Sequence, residues 1–343
     1  MTNKTILLAK RPNGMPSLDD FEIVDAPIPA VAAGELLVRT IYLSVDPYMR
    51  GRMNAPDVTA SRHYAQAFEL GKPLSGGLVG EVIESKVDGY SAGDVVTLPG
   101  QWREYVAISA DRVRRCSTQE HIPLSAYLGV LGMPGRTAYA GLRCIGKPEH
   151  GDTVYVSAAA GAVGSAACQI AKIDGCTVVA SAGSDAKVEW LRGEARVDHA
   201  FNYRTVDSLA GELGRHGEID VYFDNVGGPT LEAALSNMAF GGRVVLCGMI
   251  SGYNRMTKGI RNLFLAITRR LTLQGFIVGD LDDRTAGFEN DMGEWIRQGR
   301  IRWRETIVEG IESTPQAFID MLTGNKIGKM IVRVGEDPAE YGS

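Results

Sequence analysis

The stretch 152–172 constrains the fold of this chain more than any other part of the sequence. It opens with a short apolar run, 153–156, passes through small residues that include Gly161 and Gly164, and continues with apolar residues at helical spacing. A second apolar run, 177–180, follows closely. This order predicts a strand, a helix and a second strand, which form one half of a doubly wound parallel sheet.

The turn between the first strand and the helix has the composition of a phosphate-binding loop. Glycines let the backbone approach a pyrophosphate, and the N–H groups at the start of the helix face it. The pattern differs from the common Gly-x-Gly-x-x-Gly, because Ala159 stands at the first glycine position and Ala167 at the last small position. Dinucleotide contacts are therefore predicted along one short run: Ala160, Gly161, Ala162, Val163 and Gly164.

The end of the second strand distinguishes between the two nicotinamide cofactors. Enzymes that use NAD place an Asp or Glu there, which binds the ribose hydroxyls. This chain instead has Ser181-Ala182-Gly183-Ser184, with Lys187 soon after. A missing carboxylate and an added cation favour NADP(H), whose 2′-phosphate Gly183, Ser184 and Lys187 are predicted to bind. The alternative is that Lys187 only decorates the exposed first turn of the next helix.

Composition restricts the class of protein further. A chain of 343 residues suits two domains. The net charge of −5 provides no electrostatic footprint for nucleic acid or acidic lipid, and no apolar stretch approaches the length of a membrane span. The five cysteines are odd in number and scattered, which indicates reduced thiols in a cytoplasm rather than a disulfide framework.

Short apolar runs separated by Gly, Pro and Asp turns predict strands in the first part of the chain at 5–8, 34–43, 77–85, 94–98 and 104–108. Strands that alternate with helical segments are predicted next, at 153–157, 177–180, 199–202, 219–223, 243–247 and 271–278. The tail is strand-like again at 304–308 and 329–334. The chain is thus predicted to be α/β, with a parallel, doubly wound Rossmann sheet and a strand-rich domain formed by both termini.

Several long words of sequence carry a resemblance to a known family: LSVDPYMRGRM at 43–53, LGMPGRTAY at 131–139, DNVGG at 224–228, CGMISGYN at 247–254 and NKIGKM at 325–330. Over essentially its whole length the chain resembles the zinc-independent branch of the medium-chain dehydrogenase/reductase superfamily. That branch contains alkenal double-bond, prostaglandin and curcumin reductases.

The resemblance implies a specific domain plan and activity. A GroES-like substrate and catalytic domain is expected at 1–124, an NADP-binding Rossmann domain at 125–301, and a C-terminal segment at 302–343 that returns to the first domain. The implied reaction is NADPH-dependent reduction of the C=C bond of an α,β-unsaturated ketone or aldehyde, with hydride transfer to the β-carbon. The active site is expected in the cleft between the domains.

The sequence lacks the ligands with which zinc alcohol dehydrogenases hold the metal that polarises the substrate oxygen. Residues 43–46 contain no cysteine, residues 76–81 contain no histidine, and no two cysteines are spaced as metal ligands. We therefore expect no metal site and an activity that needs no metal.

Hydride addition to an enone places negative charge on the carbonyl oxygen, so the site must offer a hydrogen-bond donor there. Tyr253, in the loop after the fifth parallel strand, is the predicted catalytic residue. The ribose hydroxyl of the nicotinamide could supply the same hydrogen bond, and Tyr253 would then only close the pocket. Tyr48 and Tyr64 are predicted to bind substrate, with structural packing as the equal alternative.

The remaining predicted cofactor contacts lie in the matching words or just past predicted strands: Met133, Thr137, Tyr203, Asn225, Cys247 and Asn325. Tyr203 resembles the family tyrosine that lies against the 2′-phosphate beside Lys187. Asn225 could meet the cofactor ribose, or could simply form the turn before the two glycines that follow it.

Two other functions and one assembly state remain open. A quinone reductase on the same zinc-free scaffold is the alternative within the class, and a non-catalytic protein that senses NADPH or binds RNA is the alternative outside it. We expect a homodimer, because the strand predicted at 271–278 is long, apolar and at the sheet edge, where it invites pairing with a second copy. The other expected partner is the small enone or enal substrate, with no nucleic acid and no membrane.

Overall fold

The computed structural model describes residues 2–56, 65–116, 122–255 and 258–338. The strands in these ranges are β1 Thr2–Leu8, β2 Phe21–Pro27, β3 Glu35–Ser44, β4 Ser75–Ser85, β5 Val95–Gln101, β6 Tyr105–Ser109, β7 Arg114–Arg115, β8 Thr153–Val156, β9 Thr177–Ala182, β10 His199–Asn202, β11 Ile219–Asp224, β12 Met238–Leu246, β13 Thr272–Gly275, β14 Glu305–Glu309 and β15 Lys329–Arg333.

The α helices are α1 Met49–Arg52, α2 Met133–Ala140, α3 Ala162–Ile173, α4 Asp185–Gly193, α5 Leu209–Gly214, α6 Gly228–Leu235, α7 Leu265–Thr268, α8 Phe288–Arg297 and α9 Thr314–Thr323. A π-helical stretch, Gly141–Gly146, continues α2. Short 3₁₀ turns occur at Leu18–Asp20, Ala110–Arg112, Leu124–Leu128, Ile250–Gly252, Val278–Arg284 and Ile311–Ser313.

The chain divides into two compact units. The first unit contains residues 1–128, 305–326 and 330–343, and the second contains residues 129–304 and 327–329. The structure confirms the α/β class, with a parallel sheet in the second unit and a separate, mostly strand-built first unit.

The first unit is organised around β3. This strand is almost entirely buried, and it pairs antiparallel with β4, β6 and β15. The resulting sheet runs β14-β15-β3-β4-β5-β7, so the two tail strands join the N-terminal sheet. An aromatic cluster fills its core, where the ring centroid of Trp102 lies 6.2 Å from that of Phe21 and 5.9 Å from that of Phe318. The hairpin partner of β1, β2, was missing from the strands expected here.

The second unit is a six-stranded parallel sheet in the order β10-β9-β8-β11-β12-β13. The chain winds outward from β8 through β9 to β10, and then crosses back to continue on the other side of β8 with β11. The strand order therefore reverses between β8 and β11. In open α/β sheets, the carboxyl ends of the strands at such a reversal border the ligand crevice.

The expectation for the edge strand was wrong in one respect. The apolar run predicted as a strand over 271–278 forms only the four-residue β13, and its residues are exposed or half-buried rather than fully packed. It does lie at the edge of the sheet, where it pairs in parallel with β12. The run is cut short because the chain turns away at Phe276 and enters the 3₁₀ turn Val278–Arg284.

In the described ranges, no helix combines the length and the apolar character needed to cross a membrane.

Candidate cofactor-binding and active site

The turn after β8 delivers the chain to the N-terminus of α3. Gly161 caps this helix in an extended conformation, and Gly161, Ala162 and Val163 are partly exposed there. The first N–H groups of a helix have no acceptor within the helix, so they face outward with the positive end of the helix dipole. This arrangement fits a pyrophosphate bound at the predicted run.

The other two residues of that run serve the protein itself. A Cβ on Gly164 would lie 2.5 Å from the carbonyl oxygen of Ala158, so only glycine lets α3 pack this closely on the turn. Ala160 is buried, and its carbonyl accepts a 2.9 Å hydrogen bond from the N–H of Gly328. We infer that these residues shape the loop. The N–H of Gly161 is also in use, because it donates to the carbonyl of Ala158 at 3.0 Å, so Gly161 offers a ligand close approach rather than a hydrogen-bond donor. Ala162 and Val163 remain partly exposed at the start of α3.

The turns after the neighbouring strands β9 and β10 carry groups suited to a phosphate. A Cβ on Gly183 would lie 3.0 Å from the hydroxyl oxygen of Tyr203, so the tyrosine lies against this glycine. Burial, and then the nearby positive charge of Arg204, lower the pKa of Lys187. Ser184 precedes α4 and is partly exposed. The structure thus places Tyr203 against Gly183, and it places Lys187 near enough to Arg204, the residue after Tyr203, for the two charges to interact.

Arg204 is a residue that the sequence reasoning missed. Its guanidinium carbon lies 5.8 Å from the ring centroid of Tyr203, and its charge is felt at Lys187. The carboxylate in this neighbourhood, Asp185, instead accepts a 2.8 Å hydrogen bond from the side chain of Asn202. Two cations that repel each other at one surface fit a doubly charged phosphate. The signal was present in the sequence, because Arg204 directly follows Tyr203.

The turn after β11 presents Asn225 at the point where the strand order reverses. Its side-chain amide donates a 2.8 Å hydrogen bond to the carbonyl of Ser157, and its backbone N–H bonds the hydroxyl of Ser157 at 3.0 Å. Among the described residues its side-chain oxygen has no hydrogen bond, so that atom is available to a ligand hydroxyl. The two readings of Asn225 are therefore compatible, since it forms the turn and keeps an acceptor for a ribose.

Tyr253 lies in the loop after β12, partly buried. Its hydroxyl oxygen is 3.5 Å from the backbone nitrogen of Met249, which is a long contact. Burial raises the pKa of the Tyr253 phenol, and the carboxyl of Asp224 and the thiol of Cys247 also act to raise it. The phenol therefore stays protonated at neutral pH, as a hydrogen-bond donor must.

Three further predicted contacts in the second unit differ in what they can offer. Met133 is exposed at the start of α2, while the hydroxyl of Thr137 is held by the carbonyl of Met133 at 2.7 Å. Burial raises the pKa of Cys247 to about 12, so its thiol is not a nucleophile at neutral pH. Met133 and Cys247 can pack against a cofactor. The hydroxyl proton of Thr137 is already used in its hydrogen bond to the carbonyl of Met133.

The predicted residues of the first unit are Tyr48, Tyr64 and Asn325. Tyr48 is half-buried against the core of that unit, and burial together with the carboxylate of Asp46 raises its pKa to about 12. Asn325 is exposed just after the glycine that ends α9. Tyr64 lies outside the described residues. The roles of all three stay predictions.

Comparisons with known proteins identify the family. A family profile described as the N-terminal domain of oxidoreductase matches residues 4–116, and one described as zinc-binding dehydrogenase matches residues 162–296. The NADP(+)-dependent 2-alkenal reductase of Nicotiana tabacum is 39% identical, with 98% of this chain and 99% of that protein covered. The NADPH-dependent curcumin reductase of Escherichia coli is 37% identical, with 98% of each covered.

A solved structure agrees with the sequence matches. CurA from Vibrio vulnificus in complex with NADPH is similar to this chain with a TM-score of 0.90 at 37% identity, over 97% of this chain and 100% of that one. This chain belongs to the medium-chain dehydrogenase/reductase family of oxidoreductases, in the branch of alkenal, prostaglandin and curcumin reductases. The family resemblance that the sequence motifs indicated is thereby confirmed.

The zinc-binding description of the second profile raises the question of ligands in this chain. Within the ranges that the structure describes, no group of three or more His, Cys, Asp or Glu side chains is placed to hold a metal ion.

Proposed function

We propose that this NADP-dependent oxidoreductase reduces the carbon–carbon double bond of α,β-unsaturated ketones or aldehydes, by hydride transfer to the β-carbon and without zinc. The observation that carries the proposal is the protonated phenol of Tyr253, in a loop that bonds directly to the turn bearing Asn225. The names of the tobacco and Escherichia coli relatives, a 2-alkenal reductase and a curcumin reductase, support the same substrate class.

Binding of the cofactor is proposed to use the turns after β8, β9 and β10. The start of α3 at 162–163 would hold the pyrophosphate, with Gly161 allowing its close approach. Lys187 and Tyr203 would hold the 2′-phosphate, and Gly183 and Ser184, in the turn after β9, would contact it as well. NADPH, when bound, supplies the hydride. Asn225, Met133, Thr137, Cys247 and, from the first unit, Asn325 are proposed to contact the remainder of the cofactor.

Tyr253 is proposed to act on the substrate oxygen. Addition of hydride to the β-carbon shifts charge to the carbonyl oxygen and forms an enolate. The phenol of Tyr253 is protonated at neutral pH, as an ordinary tyrosine is, so it can donate a hydrogen bond to that oxygen, and burial raises its pKa further. Protonation of the α-carbon, by Tyr253 or by solvent, completes the reaction. Tyr48 and Tyr64 are proposed to line the substrate pocket.

The direct test is loss of NADPH absorbance with three substrates in parallel: an enone, an enal and a quinone. Product analysis must show a saturated carbonyl compound from the first two. Reduction of the quinone alone would assign the chain to the quinone reductases, and NADPH binding without turnover of any of the three would indicate a sensor.

We also propose a homodimer. β13 pairs with β12 on one side only, and it is the outermost strand of its sheet. Phe264 and Ile267, shortly before β13 in sequence, are 68% and 70% exposed, which is unusual for large apolar side chains. Pairing of β13 with its copy would cover the open edge. Sedimentation equilibrium at micromolar concentration decides this, and a species of only 36.9 kDa would refute it.

A cytoplasmic location is proposed from the cysteines. Cys116, Cys144, Cys168 and Cys176 are free and buried, and Cys247 is free and partly exposed. Reduced thiols of this kind are typical of a reducing compartment.

A further inference from the structure

Asp224, the last residue of β11, has an unusual environment. Its side chain is fully buried, and one carboxyl oxygen, Oδ1, accepts hydrogen bonds from the hydroxyl of Tyr222 at 2.6 Å and from the N–H groups of Val226 at 2.9 Å and Gly227 at 2.8 Å. The other oxygen, Oδ2, is buried without a hydrogen-bond partner among the described residues. A buried polar group of this kind calls for an explanation beyond packing.

The bonds to Oδ1 fix the turn after β11. Gly227 and Gly228 both have left-handed backbone angles, with φ of +69° and +51°, and such a turn has few intrinsic restraints. Two consecutive N–H groups that point at one carboxyl oxygen hold it closed. Asn225, within this turn, is fixed from the other side by Ser157.

The same turn supports the loop that ends at Tyr253. The backbone carbonyl of Asp224 accepts from the N–H groups of Cys247 at 2.9 Å and Gly248 at 3.0 Å. The carbonyl of Val226 accepts from both the N–H of Ser251 at 3.2 Å and its hydroxyl at 2.6 Å. The position of the 247–253 loop is therefore set by the position of the 224–228 turn.

We propose that Asp224 is a positioning residue, which holds the 224–228 turn and, through it, keeps both Asn225 and the Tyr253 loop in place for cofactor and substrate. The inference rests on the proposed function of Tyr253 and adds a residue for which no contact with substrate or cofactor is claimed. Its carboxyl acts through Tyr222, Val226 and Gly227, and through a longer 3.4 Å hydrogen bond that Oδ1 accepts from the hydroxyl of Ser157.

The test compares Asp224→Asn and Asp224→Ala with Asp220→Asn. Asp220 lies on the same strand toward its other end, where its carboxylate accepts from the N–H of Thr153 at 2.8 Å. Asn keeps the Oδ1 acceptor. Ala removes it, which leaves the N–H groups of Val226 and Gly227 and the hydroxyls of Tyr222 and Ser157 without this acceptor. We expect the dissociation constant for NADPH, measured by fluorescence titration, to rise severalfold in Asp224→Asn and about tenfold or more in Asp224→Ala. Asp220→Asn should bind NADPH as the wild type does.

Hydrogen–deuterium exchange provides a second readout that needs neither turnover nor cofactor. In Asp224→Ala, the amides of Gly248 and Ser251 should exchange at least tenfold faster than in wild type. In Asp220→Asn, the same two amides should exchange at the wild-type rate. If Asp224→Ala does not fold, Asp224→Asn carries both measurements. Folded Asp224 variants with wild-type exchange in 247–253 and a wild-type dissociation constant would overturn the proposal.

Ser251→Ala tests the contribution of the 247–253 loop separately from that of the 224–228 turn. Loss of the Ser251 hydroxyl bond to Val226 should lower kcat about threefold or more at an unchanged dissociation constant for NADPH, whereas Ser236→Ala, which removes a similar bond to the carbonyl of Glu232, should change neither. A wild type that binds NADPH but reduces no enone would refute the proposed function. The amide exchange rates and the dissociation constant for NADPH would still test the positioning role of Asp224.

Discussion

Two regions at the same edge of the parallel sheet, one on each side of β8, are built in opposite ways. The region after β9 and β10 exposes its chemistry: Tyr203 and Arg204 follow β10 and are exposed, and Lys187, in the helix after β9, lies near Arg204. The turn after β11 buries its chemistry, with Asp224 inaccessible to solvent and committed to backbone N–H groups.

The two regions therefore differ in their proposed roles: the first selects the cofactor, and the second holds the backbone of the site in place. Tyr203 and Arg204 face solvent and not the core, so exchanging them should cost little in folding, and we propose that this region sets which cofactor binds. Side chains at the β11 turn hold backbone in place, so a change there alters geometry and stability together. The predictions below test this division, from the largest expected effect to the smallest.

Removing both cations of the region after β9 and β10 should have the largest effect. Lys187→Ala with Arg204→Ala should raise the dissociation constant for NADPH about a hundredfold, because two charge-assisted contacts of roughly 1.5 kcal/mol each are lost. The constant for NADH should stay unchanged, since NADH lacks the 2′-phosphate. Titration of both cofactors measures this, with the exposed Arg215→Ala as control. Equal losses for both cofactors would show that the cations do not read the phosphate.

Tyr253→Phe should lower the rate of hydride transfer to an enone about tenfold, since the ribose hydroxyl shares the donor role. The affinity for NADPH should be nearly unchanged, because the ring remains. Stopped-flow with deuterated NADPH isolates the step. Tyr203→Phe is the matched control, and it should affect NADPH affinity and leave the transfer rate intact. An unchanged transfer rate in Tyr253→Phe would reduce that residue to a pocket wall.

The pH dependence of the free energy of unfolding should reflect the raised pKa of the Asp224 carboxyl. Burial raises the pKa of its carboxyl in the folded protein, so between the pKa of an ordinary Asp and this raised value the folded state binds more protons than the unfolded state. The free energy of unfolding of the wild type, relative to Asp224→Asn, should therefore fall as the pH rises through that window, and level off above it. Urea titrations at a series of pH values measure the difference. A difference that rises with pH would contradict the assignment.

Metal removal should have the smallest effect. Activity should survive dialysis against a strong chelator, because the sequence lacks the ligands of the zinc alcohol dehydrogenases at 43–46 and 76–81. Elemental analysis before and after dialysis is the control. Stoichiometric zinc whose removal abolishes turnover would refute the expectation.

Much of the fold was predictable because local patterns report it directly. The strands β8, β9 and β11 are short apolar runs that are largely buried on both faces, and the runs predicted for them and for β10 match the observed strands to within two residues. The run predicted at 243–247 found only the second half of β12, Met238–Leu246. The sixth, over 271–278, looked equally apolar. Whether such a run stays paired depends on neighbours that the local pattern does not contain, and β13 has a neighbour on one side only.

The site was less predictable where its residues act through contacts. The motif at 224–228 drew attention to Asn225, whereas Asp224 shows its importance only once its carboxyl is seen to meet Val226 and Gly227. One clue was available, because Tyr222 and Asp224 are two apart on a strand and so share a face. Arg204 was overlooked because exposed arginines are common and its neighbour Lys187 is distant in sequence.

The bond between Gly328 and Ala160 has a consequence for how the protein is made. The short piece 327–329 belongs to the second unit, and its Gly328 pairs with the phosphate-loop residues Ala160 and Gly161. During translation the turn that contains Ala160 is synthesised long before Gly328, so the carbonyl of Ala160 receives this hydrogen bond only late in synthesis. A chain that stops before Gly328 would leave the Ala160 carbonyl without this donor.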